Sequence, residues 1–153
     1  RVDFPERLLA IAGSVAQDSA YHRRLVALAI GLGCADQIRW LGFLDEQAKP
    51  AALASAAVFV HASASEGMAL AILEAMSAGL PIVVSKGCYM REAGAAGALL
   101  ECAQGPEALA ISLRQVLDRG PLATRLSENA RAYAAKEHDW SRIAARTLEI
   151  YSK

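Results

Sequence analysis

The 153-residue sequence is poor in the features that mark several large classes of protein. Its 16 Lys and Arg residues balance 16 Asp and Glu residues, so it has no basic excess of the kind that nucleic-acid-binding domains show. Three cysteines, Cys34, Cys88 and Cys102, form no Cys-x-x-Cys pair, and the three histidines form no His-x-x-x-His pair. No apolar run approaches the roughly 20 residues that span a bilayer, and no signal peptide opens the chain. We therefore expect a cytoplasmic domain with free thiols that binds neither metal nor nucleic acid.

The composition is that of a folded domain with a substantial core. Hydrophobic residues make up 54% of the chain and charged residues 21%, which excludes intrinsic disorder. A length of 153 residues fits one domain. Because the sequence begins with Arg1 rather than Met, we expect the chain to be a piece of a larger protein.

Short apolar runs alternate with longer amphipathic stretches, which predicts strands joined by helices. The apolar runs are continuous rather than alternating, as in parallel strands that are covered on both faces. The predicted fold class is α/β, a Rossmann-like, doubly wound parallel sheet with a helical C-terminal tail. The predicted strands are 8–12, 38–41, 57–61, 81–84 and 98–101, and the predicted helices are 19–32, 45–56, 66–78, 106–119, 122–136 and 140–151.

Parallel sheets of this kind bind ligands at the carboxyl ends of their strands. This places candidate loops at residues 13–16, 42–46, 62–66 and 85–92. No dinucleotide fingerprint, P-loop or esterase elbow follows a strand. A phosphoreceiver domain is also excluded, because the first strand ends in Ala-Gly-Ser without an acidic residue.

The predicted helix 66–78 carries two carboxylates in an otherwise apolar or small-residue stretch. Burial would force Glu74 to find a partner, either a structural hydrogen bond or the hydroxyl groups of a ligand. Glu66 either complements the dipole at the helix N-terminus or faces a ligand. In a continuous helix the two Cα atoms would lie about 12 Å apart, so both side chains could face one crevice. The amides that follow Glu66 would then form an anion site to which Gly67 allows close approach.

The segment that contains this pair resembles the signature of the retaining glycosyltransferases of family 4. Those enzymes carry Glu, seven residues and a second Glu, then Ala-Met-Ala/Ser-x-Gly-x-Pro-Val, within a GT-B fold. Glu66, Glu74 and residues 75–83 match this pattern. Further similar segments follow in the family's order along the chain, namely residues 8–13, 38–44, Glu92 with Gly97, and 140–151.

The resemblance implies the C-terminal, donor-binding half of a two-domain enzyme that transfers a sugar from a nucleotide sugar with retention of configuration. It implies that Glu66 lies beside the transferred sugar as the catalytic residue, and that Glu74 binds the ribose hydroxyls. Backbone amides 67–70 would hold the diphosphate, and the turn 42–45 would lie near the base. The implied donor-binding residues are Gly13, Gly42, Leu44, Ser63, Glu66, Gly67, Met68, Ala69, Leu70 and Glu74.

The resemblance also implies the cofactors and partners. No metal is expected, because a helix dipole and basic side chains can neutralise the leaving diphosphate. The partners are the nucleotide-sugar donor and an N-terminal acceptor domain, through which any membrane contact at the inner face would be made. The expected setting is polysaccharide or lipopolysaccharide biosynthesis. The apolar residues of the last predicted helix, among them Trp140 and Tyr151, predict a face that packs against the acceptor domain.

The sequence departs from the family pattern at three places. Ala69 stands where Gly is common, and Ala62 stands where Pro is common. The family's Gly-Arg-x-x-x-x-Lys segment would lie upstream of Arg1, so we expect the isolated chain not to turn over. Lys86 is either a substitute phosphate contact or a solvated loop lysine. A non-catalytic docking module and a nucleotide-sugar epimerase are the alternatives, and the stretch 75–79 favours the transferase over the epimerase.

Overall fold

The computed structural model describes residues 4–14, 19–67, 69–118 and 120–152. The chain forms two compact units, Arg1–Pro50 and Ala51–Lys153. Both units contain parallel strands connected by helices, so the predicted α/β class is confirmed in each. Strands pair as two sheets, one of two strands in the first unit and one of three strands in the second.

The first unit contains two parallel strands and the helix that connects them. Strand β1 (Leu9–Ala12) pairs with β2 (Ile38–Gly42), and helix α1 (Ala20–Gly31) lies between them in sequence. Helix α1 begins after Ser19, whose side chain accepts a 3.1 Å hydrogen bond from the His22 amide. This bond satisfies one of the amides that every helix leaves unpaired in its first turn.

Strand β1 is more exposed than its apolar sequence predicts. Leu9 is 51% exposed, and Ile11 alone among the four strand residues is half-buried. Within the described residues β1 pairs only with β2, and a strand at the edge of a small sheet has little to cover it. The prediction of a buried strand is therefore wrong for β1.

A polar side chain sets the start of the next helix, α2 (Ala48–Ser55). The Asp45 carboxylate accepts hydrogen bonds from the amides of Gln47 and Ala48, at 3.0 and 2.7 Å. Asp45 therefore caps this helix, which begins at Ala48 and not at residue 45 as predicted. Pro50 falls in the first turn, where a missing amide hydrogen breaks no helical bond, so no kink is required.

The second unit is built on the sheet β3–β4–β5, whose strands are all parallel. These strands are β3 (Phe59–His61), β4 (Ile82–Ser85) and β5 (Leu100–Cys102). All four residues of the central strand β4 are buried, as predicted for a strand that is covered on both faces. The helices after β3 are α3 (Leu70–Ser77), α4 (Arg91–Ala95), α5 (Pro106–Leu117), α6 (Pro121–Glu137) and α7 (Trp140–Tyr151).

Strand β4 sends alternate side chains into two separate apolar clusters. Ile82 and Val84 pack with residues of α3 and α6, while Val83 packs with Val116 of α5 and Leu126 of α6. A strand's successive side chains point to opposite faces, so the two clusters lie on opposite faces of the sheet. This arrangement holds the carboxyl end of β4 in a fixed position.

Side chains of helix α6 donate hydrogen bonds to the turns that follow α3 and α4. Arg131 donates to the carbonyl of Ala78 at 3.2 Å, and the Ser127 hydroxyl donates to the carbonyl of Gly79. Asn129 donates to the carbonyl of Gly97 at 3.2 Å. Gly79 has a φ of +72°, which suits the glycine that ends a helix, so the predicted stop of α3 is confirmed.

The cysteines differ in burial, which predicts their order of reaction with a thiol reagent. Cys88 and Cys102 are buried and Cys34 is half-buried, and burial raises the pKa of the Cys102 thiol. Because the thiolate is the reactive form, the folded chain is expected to be labelled at Cys34 first. Cys88 and Cys102 should become reactive only in denaturant, as mass spectrometry of the labelled peptides would show. Fast labelling of Cys102 in the folded chain would contradict this burial.

Two further properties follow from the described residues. None of the helices in this part of the chain has both the length and the apolar character needed to cross a membrane. No group of three or more His, Cys, Asp or Glu side chains within it could hold a metal ion.

Candidate functional site

Two loops meet at the carboxyl ends of β3 and β4. The Ser85 hydroxyl donates a 2.6 Å hydrogen bond to the carbonyl of Ser63, and the Glu66 amide donates a 2.9 Å bond to the carbonyl of Gly87. Because β3 and β4 are parallel neighbours, both loops leave the sheet at the same edge. This is the edge at which sequence reasoning places a ligand, and it brings the candidates Ser63 and Glu66 together.

Gly87 allows the two loops to approach each other. It is buried, and a Cβ atom at this position would collide with the carbonyl oxygens of Ser63 and Ala64. The side chain of Gln104, which follows β5, donates to the same Ser63 carbonyl at 3.0 Å. Loops from all three strands of the second unit therefore converge on the backbone immediately before Glu66.

Glu66 lies in the loop and not in a helix. Helix α3 begins at Leu70, and the amide of Glu66 is bonded to the loop after β4 instead of to a helical turn. The predicted start of the helix at residue 66 is therefore wrong, and the 12 Å separation derived from it does not apply. The alternative that Glu66 is a first-turn residue complementing the helix dipole is also wrong, since the first turn of α3 contains no acidic residue.

The carboxylate of Glu66 faces the last residue of β3. His61 Nε2 lies 3.3 Å from Glu66 Oε2, and the two side chains are 27% and 40% exposed. Glu66 is thus neither buried nor fully solvated. It is an accessible acid on a loop that is fixed by hydrogen bonds from neighbouring segments.

Extended backbone at Ala69 leads into α3. Ala69 occupies the position before the helix, with φ −76° and ψ 109°, and its side chain provides no cap. The described part of the chain offers no hydrogen-bond partner to the amides of Gly67, Ala69 and Leu70. These amides retain their capacity to donate to an anion. Met68 lies outside the described residues.

Glu74 is half-buried on α3. Ile72, Ala75 and Met76 on the same helix are completely buried, whereas Leu70 and Ser77 are exposed. Although nearly all of its residues are apolar or small, α3 is therefore exposed at its two ends. The predicted role of Glu74 toward ribose remains a prediction.

The other three candidates belong to the first unit. The Gly13 amide donates a 2.8 Å hydrogen bond to the carbonyl of Gly42, so the ends of β1 and β2 are joined. Both glycines have positive φ angles, +142° and +66°, which other residues rarely adopt. Leu44 follows β2 and is half-buried.

Sequence reasoning missed several residues that build the loops around Glu66. Ser85 ends β4, and Gly87 and Gln104 follow β4 and β5, where ligand loops are expected, but their residue types indicate only turns. The sequence places His61 at the end of a predicted strand and indicates no role for it. Its position at the carboxyl end of that strand, five residues before Glu66, was the available signal. Lys86, for which a phosphate contact was considered, is exposed.

Comparison with known proteins defines the family. The profile described as "Glycosyl transferases group 1" matches residues 1–133, and the chain belongs to this family. Among curated proteins, the chain is 33% identical over 126 residues to the MMP alpha-(1->4)-mannosyltransferase of Mycolicibacterium hassiacum. The aligned residues cover 80% of this chain and 30% of that protein. The chain spans about a third of the length of the curated relatives it matches.

Solved structures agree on the fold. WaaG, a glycosyltransferase involved in lipopolysaccharide biosynthesis, matches 88% of this chain and 35% of its own chain, with a TM-score of 0.75 and 28% identity. The Anabaena protein HepE (Alr3699), solved in complex with UDP, matches 97% of this chain and 41% of its own, with a TM-score of 0.86 and 22% identity. The chain therefore has the Rossmann-like α/β fold predicted for it, which forms one half of a GT-B fold.

Proposed function

We propose that this chain is the donor-binding half of an enzyme that transfers a sugar from a nucleotide sugar to an acceptor with retention of configuration. The observation that carries the proposal is the placement of Glu66. Its carboxylate lies on a loop whose backbone is fixed at the carboxyl ends of β3 and β4, and it is followed by the amides of Gly67, Ala69 and Leu70, to which the described part of the chain offers no hydrogen-bond partner. A carboxylate beside a set of amide donors suits a ligand that joins a sugar to a diphosphate.

Each candidate has a role in this proposal. Glu66 positions the sugar and stabilises the positive charge that grows at the anomeric carbon as the bond to the diphosphate breaks. The amides from Gly67 to Leu70 bind the diphosphate, and the half-buried carboxylate of Glu74 accepts hydrogen bonds from the ribose hydroxyls. The nucleoside contacts that the resemblance implies for Gly13, Gly42 and Leu44, which belong to the first unit, stay predictions. No metal is required, because amide donors supply the positive potential that the leaving diphosphate needs.

The relatives support the donor class and the setting. One relative is named as a mannosyltransferase, one structural neighbour is described as acting in lipopolysaccharide biosynthesis, and another was solved with UDP. A nucleoside diphosphate sugar is therefore the proposed donor, and a polysaccharide or lipopolysaccharide is the proposed product. The reaction is proposed to take place on the cytoplasmic side of the membrane.

The acceptor site is proposed to belong to an N-terminal domain that packs against α7. Trp140 and Tyr151 are 78% and 85% exposed, and Leu148 and Ile150 on the same helix are also exposed. The apolar residues of α7 thus give it a face that another domain could cover. Membrane contact, where it occurs, is proposed to be made through that domain.

Titration of the ¹⁵N-labelled chain with UDP, GDP and ADP tests the proposal. Saturable amide shifts are expected in the segments 62–74 and 85–90 for at least one nucleotide. A groove of about 300 Å³ between α3, α6 and α7 serves as an internal control, since no candidate site residue lines it. Shifts confined to that groove, or the absence of saturable shifts with all three nucleotides, would contradict the proposal.

A further inference from the structure

The backbone of His61 is fixed by two contacts, and its ring lies against one aromatic neighbour. The strand pairing of His61 with Val84 fixes its backbone, and its carbonyl accepts a hydrogen bond from the buried Cys88 thiol at 3.3 Å. Its ring stacks on Phe59, with ring centroids 6.3 Å apart and planes inclined by 10°. The fixed backbone and the neighbouring Phe59 ring thus place the imidazole beside the Glu66 carboxylate, with Nε2 3.3 Å from Oε2.

The chemistry of the pair assigns the direction of the hydrogen bond. An ionised carboxylate accepts hydrogen bonds and cannot donate them, so Nε2 of His61 must carry the hydrogen that points to Glu66 Oε2. This contact involves Oε2, and within the described residues no hydrogen bond reaches Oε1, which the proposed ligand would contact. The backbone of Glu66 is fixed separately through the carbonyl of Gly87, at 2.9 Å.

We propose that His61 is a positioning residue that orients the Glu66 carboxylate toward the sugar of the donor. This inference rests on the proposed function of the site. Without the imidazole, the backbone of Glu66 would stay in place while its side chain would be free to adopt other rotamers. Binding of the sugar should then weaken, whereas binding of the nucleotide part should not.

The nitrogen spectrum of the His61 ring tests the contact without any ligand. Long-range ¹⁵N–¹H correlation spectra are expected to show Nε2 carrying the hydrogen in the wild-type chain. In Glu66→Ala, the Nε2 resonance should shift because its acceptor has been removed. A wild-type ring with its hydrogen on Nδ1, or a ring spectrum that Glu66→Ala leaves unchanged, would overturn the proposal.

Ligand binding by two His61 variants distinguishes a positioning role for His61 from a purely structural role. His61→Phe keeps an aromatic ring over Phe59 but removes the donor, whereas His61→Gln places an amide donor close to the position of Nε2. Calorimetry would compare UDP with UDP-glucose and GDP with GDP-mannose. One of these two ligand pairs is expected to bind the wild type. For that pair, His61→Phe should lower the affinity for the sugar nucleotide about 3- to 10-fold more than the affinity for the free nucleotide, which is the size expected for one hydrogen bond. His61→Gln should restore most of this difference.

The outcomes distinguish the inference from the function on which it rests. If the wild type binds none of the four ligands, the proposed function fails, while the ring spectrum still decides whether His61 orients Glu66. If His61→Phe lowers the affinities for the nucleotide and the sugar nucleotide equally, His61 has only a structural role and the inference is overturned. Failure of His61→Gln to restore the difference would also overturn it, provided both variants unfold at the wild-type temperature.

Discussion

Replacing Gly87 with alanine is expected to remove donor binding and to lower the free energy of unfolding by about 1–3 kcal/mol, the usual cost of overpacking. The added methyl group would meet the carbonyl oxygens of Ser63 and Ala64 at a buried position. Backbone atoms cannot rotate away as a flexible side chain can, so the two loops would have to separate. Their separation would displace the Glu66 amide from the carbonyl of Gly87 and with it the carboxylate.

Gly94→Ala is the matched control for this substitution. Gly94 lies within α4 of the same unit, and a Cβ atom there would make ordinary contacts of 3.7 and 3.9 Å with the side chains of Leu99 and Glu101. Alanine favours helix more than glycine, so stability should stay the same or rise by up to about 1 kcal/mol. Urea denaturation and nucleotide titration of both variants would measure these effects. If Gly87→Ala bound the nucleotide with wild-type affinity, the close approach of the two loops would not be needed for binding.

Glu66→Gln is expected to lower the kcat of sugar transfer by about 10²- to 10³-fold, the range for losing one group that stabilises charge in the transition state. The assay requires a protein that includes the acceptor domain, since the chain alone is not expected to turn over. Glutamine keeps the size of the side chain and removes its charge. The KM for the donor should change much less than kcat, because the positive charge at the anomeric carbon develops only in the transition state.

Glu107→Gln provides the comparison for the loss of one negative charge. Glu107 is an exposed acid in the first turn of α5, in the second unit, and is not among the site candidates. Its substitution should leave kcat unchanged. If Glu66→Gln also retained the wild-type kcat, the carboxylate would have no part in the chemistry. A product with inverted configuration at the anomeric carbon would contradict retention.

Hydrophobic patterning predicts the elements of this chain well where local sequence determines them. The bounds of α7 agree with the prediction, and Gly79 ends α3 because its positive φ suits glycine. The start of α3 is different, since it depends on a partner distant in sequence. The Glu66 amide bonds to the carbonyl of Gly87, and no pattern local to residues 66–78 reveals that contact.

The same reason separates the predicted site residues from those that were missed. The Glu66 and Glu74 pair stands out because two acids interrupt an apolar stretch, and the resemblance to a known signature gives each a role. His61 contacts Glu66 because of the way the loop after β3 folds back on the end of that strand. Gly87 acts through contacts made across β3 and β4, with Ser63 and Ala64. Such contacts follow from the register of the sheet, which the sequence of each strand alone does not determine.

Calorimetric titration of the chain with UDP, GDP and ADP, repeated on Glu74→Ala and Glu101→Ala, tests the central claim most directly. Glu101 of β5 is also half-buried and in the same unit, but no ligand role is proposed for it. One nucleotide is expected to bind saturably. Glu74→Ala should lower the affinity for that nucleotide about tenfold, because hydrogen bonds to the ribose are lost. Glu101→Ala should leave the affinity unchanged. No binding of any nucleotide to the wild type, or equal effects of the two substitutions, would contradict a nucleotide site centred on Glu66 and Glu74.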